Sequence, residues 1–509
     1  MRNRIFGLIL LCFCTGFLGA QQVLYSPFIS NQPETRFQVI GKAGNYYWVQ
    51  KSKKIFRPKK YTGVWDEGNF NFEIYDDRMD PVTTIPFTVS NDVIKEYFIP
   101  GEEYFDQLLF LKDNFRTTVL LNRFAPDGST VTTNDTLAYF PVRMKYSNFL
   151  LVRSEDKSKI LLLGFETIAD SLPTLHSFLY DKNWALLNKT VYTNANISQP
   201  YVQYDLVDYP LEHFSNTAVK LANSGEWLMT VPSGTNHNFI LVHFYGLDGK
   251  FVWREIKLSP SVSPEEIILS LDNTKQEAST GILSRIRYES VKNVRIAHYL
   301  LSDRRIDFDT SFRFNTLANK TKNENLYEEY FMTVPNKGFM LLKEYGKPFS
   351  FNEPEERNYQ RSEADSILSD AVDVNRNEYT RYSNLAGSRT AFDRGDLSMF
   401  YFPWTRSDSC WSGIINKEQT TEITSSYLSY VFLPREDKLF FLYNEFFRNN
   451  NQYSNTTVLD QKGNTVEEGV VYWKMKNNLV FQKARQISAN ELAIPYERNG
   501  RNGFAIIKL

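Results

Sequence analysis

Cysteine is nearly absent: the chain has three in 509 residues, at positions 12, 14 and 410. Cys12 and Cys14 fall in the first twenty residues. If that segment is removed, Cys410 alone remains and no internal disulfide can form, so core packing and closure must hold the fold. Cys410 stands in Ser409-Cys410-Trp411, with no glycine-rich or histidine-bearing context. It is expected as a buried apolar side chain, not a nucleophile. An excess of one charge is also missing: 58 Lys+Arg against 59 Asp+Glu leave a net charge of −1. That balance gives no reason to expect a nucleic-acid-coating protein, an acidic tail or a highly supercharged surface. After the N-terminus no stretch reaches the ~18 apolar residues that span a bilayer, so no transmembrane segment is expected in the mature chain. Helical periodicity is almost absent. There is no P-loop, dinucleotide glycine fingerprint, HExxH, GxSxG or EF-hand loop, and no cofactor is expected.

Strand formers are what the chain does have. Aromatics reach 15%, with 39 Phe, 30 Tyr and 8 Trp, while 42% hydrophobic and 23% charged residues are ordinary globular values. Such a composition favours strands and supplies a large core.

The first twenty residues read as a secretory signal. Arg2 and Arg4 form the positive region, Ile5 to Phe17 the short apolar run, and Gly19-Ala20 the small residues before Gln21. The expectation is export, to periplasm, cell surface or beyond, with residues 1–20 removed; an uncleaved anchor is the alternative. Lipoprotein processing is a poor fit, because Leu11 and Phe13 precede the two early cysteines. N-x-S/T triplets at Asn134, Asn188, Asn196, Asn319 and Asn455 matter only if the secreting cell glycosylates them.

Short apolar runs bounded by Gly, Asn, Asp and Pro fill residues 21–509, and they recur as two hairpin types. The first has tight polar turns at Lys42–Asn45, Pro100–Glu103, Ser154–Lys157, Asn223–Glu226, Asn273-Thr274, Pro335–Gly338, Pro434–Asp437 and Ser488–Glu491. The second carries Asn or His five residues before Asp: Asn71/Asp76, Asn122/Asp127, His176/Asp181, His243/Asp248, His298/Asp303 and Asn455/Asp460. The Asp is expected to open the turn by bonding the backbone two residues on. In the sixth unit Pro403 stands five before Asp408. Four strands per unit and a period of about 61 residues are the grammar of a radial array.

The chain thus resembles the broad β-propeller superfold of many secreted bacterial proteins. The resemblance implies an all-β single domain of eight four-stranded blades, or seven if two short units merge; a sandwich or tandem β-domains is the alternative. No unit has the Trp-Asp ending of WD40 repeats or the Ser-x-Asp-x-Gly-x-Thr-Trp box of sialidases. The last unit has three C-terminal strands, Leu479–Ile487, Leu492–Tyr496 and Phe504–Leu509. Val23–Ile29 is expected as its fourth, closing the ring.

His176, His243 and His298 fall at matching positions of the repeat. Asn fills the slot elsewhere, so these histidines are expected to be structural and no metal is expected. Paired acids such as Asp66/Glu67, Glu102/Glu103 and Glu355/Glu356 fit solvated turns better than acid/base catalysis.

In a four-stranded blade the first and third turns share one face, so the long segments collect on the other. Three stand out. The basic run from Lys51 to Lys60 is followed by Tyr61 and Trp65. The segment from Asn194 to Phe214 is tyrosine-rich. A polar insert at 347–396 interrupts blade six, with a short helix expected at Ser362–Val372. The candidate ligand-binding residues are Arg57, Lys59, Lys60, Trp65, Tyr201, Tyr204 and Tyr209. Aromatics among basic groups suit an anionic glycan or a protein partner, and not nucleic acid. The leading reading is an exported binding or scaffold propeller. Its rival is a carbohydrate-active hydrolase or lyase with carboxylates at the channel mouth.

Overall fold

A computed structural model describes residues 22–28, 35–56, 63–88, 92–141, 149–166, 174–193, 218–232, 238–246, 250–258, 262–286, 291–315 and 325–352. It continues with 388–404, 409–417, 419–421, 430–435, 437–446, 452–472, 478–488, 490–498 and 501–508. These residues form eight antiparallel sheets that follow one another along the chain, the blades of an eight-bladed β-propeller. Strands are lettered a to d from the first to the last in each blade. Blade 1 is Thr35–Ala43, Tyr46–Phe56, Gly63–Tyr75 and Pro81–Thr88; blade 2 is Val93–Pro100, Phe105–Lys112, Arg116–Phe124 and Thr130–Pro141. Blade 3 is Phe149–Arg153, Lys159–Glu166, Thr174–Asp181 and Leu186–Thr193; blade 4 is Val219–Leu221, Trp227–Pro232, Phe239–Tyr245 and Lys250–Ile256. Blade 5 is Val262–Asp272, Glu277–Ile286, Val291–Leu300 and Arg305–Asn315. Blade 6 is Asn325–Val334, Gly338–Asn352, Ser388–Pro403 and Trp411–Ile415, and blade 7 is Tyr430–Pro434, Lys438–Phe446, Gln452–Asp460 and Thr465–Tyr472.

Strand position in the blade explains the hydrophobic pattern. Strand b of blade 3, KILLLGFE, is buried at six successive positions because both its faces meet neighbouring blades. Strand d of blade 1, PVTTIPFT, alternates between exposed and half-buried, as an outer strand should. Aromatic pairs join blades: Trp48 of blade 1 stacks on Phe105 of blade 2 with centroids 3.8 Å apart. Phe110, Phe140, Phe149 and Phe178 knit blade 2 to blade 3.

The ring closes with the N-terminal strand. Gln22–Tyr25 pairs with Arg501–Lys508 as the outer strand d of blade 8. This strand is shorter than Val23–Ile29, since residues 26–28 leave the ladder. Strands b and c of blade 8 are Glu491–Arg498 and Arg501–Lys508. The expected continuous strand Leu479–Ile487 is broken. Asn478–Leu479 and Arg485–Ser488 flank a 3₁₀ turn at Phe481–Lys483. The break faces Pro495, whose carbonyl accepts from Val480 N but whose nitrogen has no hydrogen to return to the inner strand.

All eight first-type turns link strands a and b as expected. The second type needs correction. In blades 1, 3 and 7 the Asp itself opens the turn: Asp76, Asp181 and Asp460 each donate N–H to the carbonyl four residues on and accept from the N–H three on. In blade 2 Ala125 has that place and Asp127 sits inside the turn, although its Oδ1 accepts from Ser129 N two residues on, as expected, at 3.0 Å. Gly128 is required there: its φ is +92°, and a Cβ would collide with Ile74 and Ile85. In blade 5 Asp303 meets the Arg305 side chain. Counting back five residues therefore lands at two different levels of the blade. Cys410 is exposed, which corrects the buried expectation. It precedes the outermost strand of its blade, and the adjacent Trp411 is the residue that packs, stacking on Tyr401. Burial by its neighbours still pushes the Cys410 thiol up, away from thiolate reactivity.

The start and end of the blade-six insert belong to the ladder. Gly346 to Asn352 pair with Arg394 to Ser388, and Gln419–Thr421 adds a third strand along Arg394 to Phe392. At the base Tyr345 faces two residues, Gly395 and Asp396, a β-bulge that bends this arm. The helix expected at 362–372 lies outside the described residues.

Candidate functional face

The a–b and c–d turns crowd one face and are tied to one another. Gly44 N donates to Gly101 O at 3.1 Å, and Trp48 Nε1 donates to Pro126 O at 3.1 Å. Asn223 N donates to Asn273 Oδ1, and Asn273 Nδ2 reaches across blade 4 to Glu155 at 2.7 Å. The b–c and d–a connections, including the long ones, leave from the opposite face.

Of the expected ligand-binding residues, Arg57, Lys59, Lys60, Tyr201, Tyr204 and Tyr209 lie outside the described residues. Trp65 is a strand c residue of blade 1, paired in register with Lys54. The basic run is not wholly a loop: Lys51, Lys53 and Lys54 extend strand b, and Lys51 forms an ion pair with Glu73 at 2.8 Å.

Beneath this face lies an ionic array that spacing in the sequence gave no means of assembling. Lys292 Nζ in strand c of blade 5 sits 2.7 Å from Glu265 and also bonds Glu329 of blade 6. Glu329 faces Lys343 at 3.4 Å, and Arg285 holds Glu265 at 2.9 Å. The Lys343 side chain is 1% exposed, and that burial pushes its ammonium down from the usual lysine range. One residue on, Glu344 points to the other side of the sheet and bonds Lys417. Lys417 Nζ also donates to Gln419 Oε1 at 2.8 Å, and Gln419 donates to Asn444 O of blade 7. These carboxylates are tied to lysine and do not stand as an open acid/base pair.

Glu96 behaves differently. It lies half-buried on inner strand a of blade 2 and accepts from Gln107 Nε2. Gln107 Oε1 accepts from Asn122 Nδ2 at 2.9 Å, and Asn122 Oδ1 accepts from Asn134 N at 2.8 Å. This chain crosses the blade from strand a to strand d. Burial raises the Glu96 carboxyl to about 7. Because the folded value lies above the unfolded one, stability is greatest below the unfolded pKa and declines as pH rises toward about 7. Glu96→Gln, which mimics the protonated form, is therefore expected to raise the melting temperature at pH 8, by a stabilisation on the order of 1 kcal/mol, and to leave it unchanged at pH 4. Thermal unfolding at the two pH values checks this, and an equal shift at both would exclude titration of Glu96.

Of the histidines of the repeat, His243 and His298 are hydrogen-bonded, within and between blades. His243 is buried, with Nδ1 3.1 Å from Tyr299 Oη of blade 5 and Nε2 3.3 Å from Glu226. His298 Nδ1 lies 2.8 Å from Ser279 Oγ, with Glu277 at 3.7 Å from Nε2. These two are equivalent: each carboxylate precedes by two the residue opposite its histidine. His176 is not, because its opposite residue is Gly164 and its carboxylate, Glu166 at 3.5 Å, follows by two. Burial lowers all three imidazoles from their ordinary value. Among the described residues no group of three or more His, Cys, Asp or Glu is placed to hold a metal ion. His243→Asn is expected to cost under about 1 kcal/mol and His243→Ala about 1–3 kcal/mol, since Ala leaves Tyr299 and Glu226 without that partner. Urea unfolding of both variants tests the order, and equal costs would show that volume, not hydrogen bonding, fills the slot.

No protein-family model matches the chain, and no curated protein does. Solved structures resemble it in fold. The Dos1 propeller aligns over 94% of both chains at 10% identity and a TM-score of 0.38. The polysaccharide lyase Uly1 aligns over 96% of this chain and 98% of its own, at 10% identity and a TM-score of 0.33. The Nup133 β-propeller domain of Vanderwaltozyma polyspora aligns over 81% and 99%, at 8% identity and a TM-score of 0.30. None of these likenesses bears on activity. Among the described residues no helix is long and apolar enough to cross a membrane.

Proposed function

We propose that the chain is an exported binding propeller that acts at the cell envelope or outside and recognises an anionic glycan through its b–c and d–a face. The observation that carries this reading is the inequality of the two faces. One is closed by short turns bonded to each other, while the other sends out the long connections, among them the basic segment 57–62 and the tyrosine-rich segment 194–217. Carboxylates under that face are neutralised by lysine, which suits a rigid platform better than hydrolysis. Export rests on Arg2, Arg4, the apolar run to Phe17 and Gly19-Ala20. A glycan array run with the secreted protein, followed by a reducing-sugar assay on any glycan retained, tests the proposal. Retention of acidic glycans without new reducing ends is the expected result; retention of none would overturn it.

A second reading, a carbohydrate-active hydrolase or lyase, draws on Glu96. A carboxyl raised to about 7 on an inner strand has the protonation a general acid needs. Under this reading the same assay releases reducing ends, and Glu96→Gln abolishes the release.

A further inference from the structure

Phe115 is the most exposed large hydrophobic side chain among the described residues, at 85%. It sits in the b–c turn of blade 2, on the face that also sends out segment 57–62 of the neighbouring blade. The turn is rigid. Asp113 Oδ1 accepts from both Phe115 N and Arg116 N at 2.7 Å, and Asp113 N donates to Arg116 O at 3.0 Å. Those two N–H groups hold the Asp113 carboxyl below the usual carboxylate range. The turn is thus fixed before any ligand arrives, which spares an ordering cost on binding.

The neighbour of Phe115 is equally unusual. The Arg116 guanidinium lies over the Tyr139 ring, 4.1 Å from its centroid, and both residues are about half exposed. Its nearest carboxylate oxygen, on Asp113, is 3.9 Å away, beyond hydrogen-bond reach. The aromatic ring orients the guanidinium, and its N–H fork remains open to an acceptor from solvent.

We infer that Phe115, Arg116 and Tyr139 form a subsite for one acidic sugar residue, with the pyranose face on the Phe115 ring and its carboxylate or sulfate on the Arg116 fork. This assignment rests on the anionic-glycan reading above and places it on named side chains. One ring and one guanidinium match one charged pyranose in size. A protein partner fits less well, because a stable interface takes about 800 Å² per side around a packed apolar centre. Here Lys112, Asp113 and Asn114 lead into Phe115 along the chain, and all are exposed and polar.

The experiment is affinity electrophoresis of the full exported chain in gels holding alginate, dextran sulfate or uncharged dextran. Phe115→Ala, Arg116→Gln and a control on the opposite face, Arg305→Gln, run beside it. All three positions are exposed, and equal melting temperatures confirm intact folding. The expected result is retardation by the charged polymers only, weakened at least tenfold by Phe115→Ala and by Arg116→Gln and unchanged by Arg305→Gln. The preferred polymer separates carboxylate from sulfate. Retardation that neither blade-2 variant changes would overturn the subsite and leave the glycan reading standing. No retardation by any charged polymer would overturn both. Equal retardation by uncharged dextran would remove the role of Arg116. Loss in Phe115→Ala of a protein contact, without polymer binding, would convert the patch into a protein-docking site and overturn the sugar assignment.

Discussion

Removing residues 22–25 is expected to lower the melting temperature of the entire propeller by about 5 °C, in a single transition. Those four residues pair with Lys508 to Ala505 and make up the outer strand of the last blade. The contact continues past the ladder: Ser26 Oγ accepts from Phe504 N at 3.0 Å, and Tyr496 Oη donates to Ser26 O at 2.8 Å. Val23 and Tyr25 pack on the cluster between blades 7 and 8, while Leu24 packs on the one shared with blade 1. Deletion therefore loosens both interfaces of blade 8 and bares the edge of a strand whose Phe504 to Ile507 are buried. Three partly buried apolar side chains at roughly 1–2 kcal/mol each give a loss of about 5 kcal/mol. Differential scanning calorimetry of the truncated chain checks the shift. A peptide of residues 21–30 added in trans should restore part of it. An unchanged transition would mean that ring closure lies elsewhere.

This closure was legible in the sequence because it is a matter of counting: three strands at one end, an orphan strand at the other. The eight a–b turns were legible for the same reason, since each is short and flanked by its own two strands. The failures share a cause too. The count from Asp back to His or Asn treats a turn as fixed in length, yet Asp181 opens its turn while Asp127 lies inside one. His176 and His243 therefore sit at different levels, although their local strings look alike. The break at Phe481–Lys483 depends on Pro495, a residue of the adjacent strand that single-strand periodicity ignores. Lys51 looked like a loop cation because its partner, Glu73, is set by cross-strand register. Phe115 stands on a turn of three residues between strands b and c of blade 2, where loop length carries no signal. Asp113 two residues ahead of it, the same signal that marks Asp76 and Asp181, pointed to a bonded turn.

The buried pair Glu344–Lys417 is expected to give the largest single-site effects in the molecule. Both side chains are at most 1% exposed, and they join strand b of blade 6 to the connection that leads into blade 7. Replacing either alone removes the ion-pair partner of a buried charge, at a cost of about 3–5 kcal/mol. Glu344→Leu takes from Lys417 the carboxylate it bonds, while Gln419 Oε1 at 2.8 Å and the Tyr430 ring stay beside it. Lys417→Met takes from Glu344, paired in register with Leu397, the ammonium it bonds. The double variant removes both charges and fills the space with methylenes, so most of the stability should return, to within about 1 kcal/mol of the parent. A urea double-mutant cycle reads this directly, and simple additivity of the two losses would refute the coupling. The pair also anchors the arm of blade 6. Lys417 N donates to Asp396 Oδ1 at the bulge, and Gln419 begins the strand that pairs with Arg394. Hydrogen exchange at 419–421 should therefore speed up in each single variant and slow again in the double. Faster exchange confined to blade 7 would mean that the charges hold the blades together without fixing the arm.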